Sequence, residues 1–140
     1  MEKYAPSVLR YAMCIVILWF GSQQFLHTDA WTAYVPDSLV SMTGLSATTF
    51  VYINATFELI FGCLLLIGWQ TRIVALLIGL HLLDVMYVVG YGEIGVRDFG
   101  LAMATIVVGM QGSDILSFDY IEKEEEKEES QHKHYKHQKS

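Results

Sequence analysis

Five ionisable residues sit within or at the edge of long apolar stretches: Glu58, His81 and Asp84, with Arg97 and Asp98 opening the last stretch. Charge in the hydrocarbon region of a bilayer is expensive, and it marks proton pathways, ligand counter-ions or buried pairs. The chemistry on offer is proton handling by Glu58 or His81, and the holding of an anion or the orienting of a headgroup by Arg97. Asp84, Asp98, Gln23 and Gln24 are the further candidate ligand-binding groups. A structural reading competes: Asp84 pairs with Arg97, Glu58 is protonated or bonded to His81 or Gln23, and the network fixes helix register.

The elements that must position these groups follow from hydropathy. The 140-residue chain is 53% hydrophobic and 17% charged, and six of its fifteen acids and five of its nine bases lie in the last twenty residues. Too little charge is left to solvate a globular surface, so the rest of the chain belongs in a lipid bilayer. The net charge of −6 argues against a nucleic-acid partner. Apolar stretches run over residues 8–26, 49–68, 73–90 and 95–112. At 1.5 Å per residue each covers roughly 27–30 Å, the thickness of the hydrocarbon core. The expectation is an all-α, four-helix transmembrane bundle over residues 1–119, followed by a charged cytoplasmic tail over 120–140. The fourth stretch is the weakest span, because its uninterrupted apolar run covers only 99–110; a re-entrant or interfacial segment is its alternative.

Depth then groups the polar residues. With the second helix running inward and the third outward, Glu58 and His81 fall near the midplane. Asp84 lies one turn further out on the face of His81. Arg97 can reach inward from the outer end of the fourth helix, and Gln23 and Gln24 have the same depth on the first.

Orientation follows from the basic residues. Lys3 and Arg10 are counted before the first span, Arg72 sits in the turn between the second and third, and five lysines follow the fourth, whereas the loop 27–47 has neither Lys nor Arg. Both termini are predicted cytoplasmic in a multi-pass cell-membrane protein. The outer loop carries Trp31, Tyr34 and Pro36, rings suited to the headgroup level. It is expected to be structured, as a cap on the bundle or a lid over a site; Trp19 and Trp69 are candidate anchors of other helix ends.

In the tail, the run EKEEEKEE supports helix through i, i+4 pairs, and disorder is expected beyond Ser130. His132, His134 and His137 are weak metal candidates against a solvated tail without function. Cys14 and Cys63 share a depth in the inner part of their helices, as packing residues or a redox pair. The body contains no zinc, haem or iron–sulfur pattern, so no metal and no covalently bound cofactor is expected there. Glycine-rich phosphate loops and nucleophile elbows are also missing.

The order of motifs resembles the DoxX/DoxD-like membrane proteins: LWFGSQQF closing the first helix, W-x-x-YVP in the outer loop, FELIFGCLLLIGWQTR across the second helix and its turn, and VRDFGL opening the fourth. On these motifs Glu58, Arg72, Arg97 and Asp98 are the family-like polar residues. The resemblance implies a four-helix membrane bundle and, by analogy with the small subunit of thiosulfate:quinone oxidoreductase, a quinone-linked oxidoreductase subunit. The chain offers little mass outside the membrane, so the expected role is an anchor that docks a redox partner and contributes to a quinone or anion site. A homo-oligomer handling small solutes or ions, or a bundle without chemistry, are the alternatives.

Overall fold

The computed structural model describes residues 4–90 and 92–138, which puts Lys3 and the side chain of His137 outside the described residues. Seven helices and no strand are present among them: α1 (Ala5–Leu26), α2 (Thr28–Thr32), α3 (Asp37–Thr43), α4 (Ala47–Ile67), α5 (Thr71–Val89), α6 (Glu93–Gln111) and α7 (Phe118–Gln138). The four long apolar helices begin and end within three residues of the expected limits. Helix α1 starts earlier because Pro6 sits in its first turn, where a missing N–H costs nothing.

Three helices, α1, α4 and α5, are long and apolar enough to cross a membrane. Helix α6 is of similar length, but the polar residues of its first turns lower its hydropathy. The exterior agrees with a lipid solvent: Ile15, Trp19, Ile53, Ile60, Ile73, Leu80 and Met110 are all exposed. In water such a surface would drive aggregation.

The connections dictate which helices pair. Gly68 ends α4 in the left-handed region, and Gly90 and Gly112 end α5 and α6 with positive φ. The turn at 68–70 is short and only three residues separate α5 from α6, so α5 lies against both α4 and α6. The closest packing is α5 on α6 and α1 on α4; the two pairs meet less extensively through α1–α6 and α4–α5. Small residues permit the close pairs, as lipid-embedded helices require. Gly79 of α5 lies against Ala102 and Ile106 of α6, where a Cβ on Gly79 would be 2.6 Å from Ile106 Cγ1, and Ala75, Gly79, Ala102 and Thr105 are all buried. The core between the pairs holds Met13, Cys14, Ile17, Leu65, Ile78, Leu82 and Val108.

A buried polar knot closes the end of the bundle where α1 begins and α6 ends. Arg10 is fully buried, and all five of its N–H donors are used. Nε and Nη2 donate to Asp114, Nη1 donates to the Leu65 and Leu66 carbonyls at the end of α4, and Nη2 also reaches the Leu116 carbonyl. Ser7 Oγ donates to the same carboxylate at 2.7 Å. The carboxylate of Asp119, at the start of α7, accepts from the backbone N–H of Gln70 and Thr71, both at 2.8 Å. It thus caps α5 from a distance of about fifty residues in sequence.

The expectation of disorder beyond Ser130 is corrected: α7 continues to Gln138. Residues 118–138 contain neither Gly nor Pro, and Glu and Lys are strong helix formers that support each other one turn apart, as Lys127 Nζ does with Glu124 at 3.1 Å. The loop between α1 and α4 is structured, as expected, and carries the short helices α2 and α3.

Candidate functional site

Between the two helix pairs lies a cavity of about 480 Å³, within the range of roughly 300–1,000 Å³ typical of small-molecule sites. Its walls are apolar residues of all four long helices, among them Ile17, Phe20, Val51, Phe57, Leu82, Val85 and Leu101. Trp31, Tyr34, Val35 and Leu39 from the connection between α1 and α4 complete it. The sparse contact of α4 with α5 and of α1 with α6 is what leaves this space open.

Into these apolar walls α1, α4, α5 and α6 each place polar groups. Glu58 on α4 is buried. Gln24 Nε2 donates to its Oε2 at 2.8 Å, and Asn54 Nδ2 donates to its Oε1 at 3.1 Å and to Gln24 Oε1 at 2.7 Å. Asn54 and Glu58 stand one helical turn apart, so a single face of α4 carries both. On α6, Arg97 is bound to Asp98 through Nε at 2.8 Å and Nη2 at 2.7 Å, and its guanidinium stacks over the Phe20 ring at 4.1 Å. On α5, His81 packs its ring on Phe57 with centroids 4.2 Å apart, and its Nε2 is buried without a hydrogen-bond partner. Asp84, one turn on, lines the cavity and is also exposed.

The structure therefore brings together Glu58, His81, Asp84, Arg97, Asp98, Gln24, Trp31 and Tyr34. Gln23 does not join them: it is half-buried and outside the cavity lining, because one residue is about 100° of turn on an α-helix. The partner of Glu58 is Gln24 with Asn54, rather than His81 or Gln23. The partner of Arg97 is Asp98, rather than Asp84, since adjacent residues at the start of α6 meet without crossing the cavity. Trp31 bridges the cap to the bundle, edge-on to Phe20 at 5.9 Å and 6.0 Å from Tyr34. Arg72 lies elsewhere, over Gly112 at the end of α6. Cys14 is buried and Cys63 exposed, both as free thiols. No three His, Cys, Asp or Glu side chains converge as for a metal among the described residues.

A DoxX family model matches residues 5–91. This chain belongs to the DoxX family. The matched segment covers α1 to α5 and so includes Gln24, Asn54, Glu58, His81 and Asp84. Arg97 and Asp98 lie past its end, in the helix that completes the cavity of this DoxX protein. No curated protein and no solved structure matches the chain.

Asn54 was missed at the level of sequence, where Asn54-Ala-Thr56 reads only as a glycosylation pattern stranded inside a span. The usable signal was its i, i+4 spacing to Glu58. Arg10 counts there only as a cytoplasmic charge; its partner Asp114 is 104 residues away and no local pattern announces it.

Proposed function

We propose that this DoxX protein is an integral membrane subunit of an oxidoreductase assembly, anchoring a redox partner and contributing a quinone site. Quinone-linked oxidation of a sulfur compound such as thiosulfate is the reaction that the family resemblance suggests. The observation that carries the reading is the cavity itself: apolar enough for an isoprenoid quinone, with its few hydrogen-bonding groups clustered. Charge favours a neutral headgroup over an anion, because Glu58, Asp84 and Asp98 face one guanidinium that is already paired. Arg97 uses Nε and Nη2 on Asp98, which leaves Nη1 for a quinone oxygen. Gln24 has a second amide hydrogen in the same wall. Glu58 and His81 are the groups that give or take protons.

In this reading α6 crosses the membrane as a fourth span, with Arg97 and Asp98 sheltered against the bundle, and both termini are cytoplasmic. The α2–α3 segment covers the cavity from outside. Electrons come from a partner subunit that holds the redox centre.

The test is titration of the detergent-purified protein with menadione and a short-chain ubiquinone, read by quenching of tryptophan fluorescence in wild type and Trp31→Phe. Saturable quenching that weakens in Trp31→Phe supports the site; only the linear quenching of free collision sinks it. Mild-detergent purification from native membranes, with mass spectrometry of what remains bound, tests the assembly. A stoichiometric redox protein is expected, and a lone homo-oligomer would overturn the subunit reading.

A further inference from the structure

Glu58 is a buried acid with no cation at ion-pair distance among the described residues. The three ion pairs among the described residues are Arg10–Asp114, Arg97–Asp98 and Lys127–Glu124, and the two oxygens of Glu58 meet only the neutral amides of Gln24 and Asn54. An unpaired carboxylate in such a setting is strongly disfavoured. Either the acid keeps its proton, or a positive charge enters beside it.

The surroundings suit such a charge. The ionisable groups facing the cavity are Glu58 from α4, His81 and Asp84 from α5, Arg97 and Asp98 from α6, and Tyr34 from the cap, while α1 presents only the neutral Gln24. Three carboxylates stand against one guanidinium, and that guanidinium is taken by Asp98. The rings of Phe20, Trp31 and Phe57 line the same space, and aromatic rings attract cations. Arg97 already uses Phe20 in this way. The cavity thus joins a charge deficit, aromatic walls and apolar volume in one place.

We propose that the cavity takes lipophilic organic cations, with the positive centre against Glu58 and the apolar body along the aromatic walls, each exchanged for one proton. The balance is simple: the protonated acid and the cation become a carboxylate–cation pair, and the proton leaves to water. No electron moves. The proposal is independent of the quinone reading, since it rests on the charge of Glu58 and not on hydrogen bonds to a carbonyl.

The experiment is isothermal titration of the full-length protein in micelles with three probes of similar shape: tetraphenylphosphonium, the neutral triphenylphosphine oxide and the anionic tetraphenylborate. Empty micelles give the background. The expected result is saturable binding of the cation, at least tenfold tighter than of either other probe. Titration in two buffers of different ionisation enthalpy should show release of close to one proton per cation. The apparent affinity should weaken about tenfold for each unit the pH falls while the free acid holds its proton. Glu58→Gln should lose at least tenfold in cation affinity and all of the proton release. If that variant fails to fold, the wild-type comparison of the three probes and the proton count still decide. Equal binding of cation and neutral probe, binding without proton release at every pH, or no binding overturns the proposal. Quinone quenching, measured separately, stands or falls without affecting this result.

Discussion

Arg10 and Asp114 form an ion pair across 104 residues of sequence, Nε to Oδ2 at 2.6 Å, with both side chains essentially out of solvent. The pair does more than join two charges. Through the Leu65 and Leu66 carbonyls Arg10 satisfies the open end of α4, and through Leu116 it fixes the segment that leads to α7. Removing the carboxylate strands a guanidinium inside the protein, which costs roughly 3–5 kcal/mol in comparable buried pairs. Asp114→Ala should therefore be among the most destabilising substitutions outside the apolar core. Thermal unfolding in micelles checks this, and a loss under about 1 kcal/mol would mean the pair behaves as an exposed one.

The same carboxylate sets an acid limit on stability. Burial pushes the Asp114 acid up, but the bonds from Arg10, Ser7 and the Leu116 N–H, with the charge of Arg10, outweigh it and hold the group below the usual carboxylate range. A depressed folded value means that the stabilisation is complete above the unfolded value of about 3.9. It is lost as the pH falls through the lower, folded value. Denaturant unfolding followed from pH 5 to pH 2 should show this loss in the wild type, and Asp114→Asn should flatten that part of the curve. An unchanged acid slope in the variant would assign the loss to other carboxyls.

Asp119 makes a second testable joint. Its carboxylate accepts from the N–H groups of Gln70 and Thr71, and its own N–H donates to the Gly68 carbonyl at 3.2 Å. Gly68 cannot be replaced freely there, because it has φ +78° and a Cβ would meet Ser117 at 2.6 Å. Asp119→Ala removes the cap and should cost about 1 kcal/mol. Hydrogen exchange should quicken at the amides of residues 70 and 71 and leave the middle of α5 unchanged; exchange that stays slow there would show that the cap contributes nothing.

How much of this was legible in the sequence depends on the range of the interaction. Apolar runs locate the four long helices, because a span must be apolar along its whole length, and the i, i+3 spacing of His81 and Asp84 places both on one wall of the cavity. Depth alone cannot choose between Gln23 and Gln24, or between Asp84 and Asp98 as the partner of Arg97; those choices turn on helix rotation, which packing sets. Asn54 was within reach through its i, i+4 spacing to Glu58, whereas the Arg10–Asp114 knot joins residues 104 apart that no local pattern links. The helical tail was within reach, since 118–138 lacks any helix breaker, but low hydrophobicity argues for disorder and hides it.

Close helix packing gives a prediction about the α5–α6 pair. A Cβ on Gly79 would lie 2.6 Å from Ile106 Cγ1 and 3.4 Å from the Ala102 carbonyl oxygen. Gly79→Leu should destabilise by about 1–3 kcal/mol through overpacking. Ile106→Ala in the same chain should recover part of that loss, a coupling expected of residues in contact. Strictly additive losses in the double-mutant cycle would mean that the two positions do not touch.

The last prediction concerns whether α6 crosses the bilayer. Three spans put the two ends of the chain on opposite sides, and four put them on the same side. The reading proposed above takes four: α6 is 19 residues long, as long as α5, packs against it, and buries Asp98 and Thr105. The start of α6 is polar where Arg97 keeps 35% of its side chain exposed, which suits a headgroup depth rather than the midplane. In a chain with both native cysteines replaced by serine, Ser46→Cys in the outer loop should react in intact cells with a membrane-impermeant maleimide. Ser130→Cys in α7 should react only after the cells are opened. Labelling of both positions in intact cells would place α7 outside and reduce the spans to three.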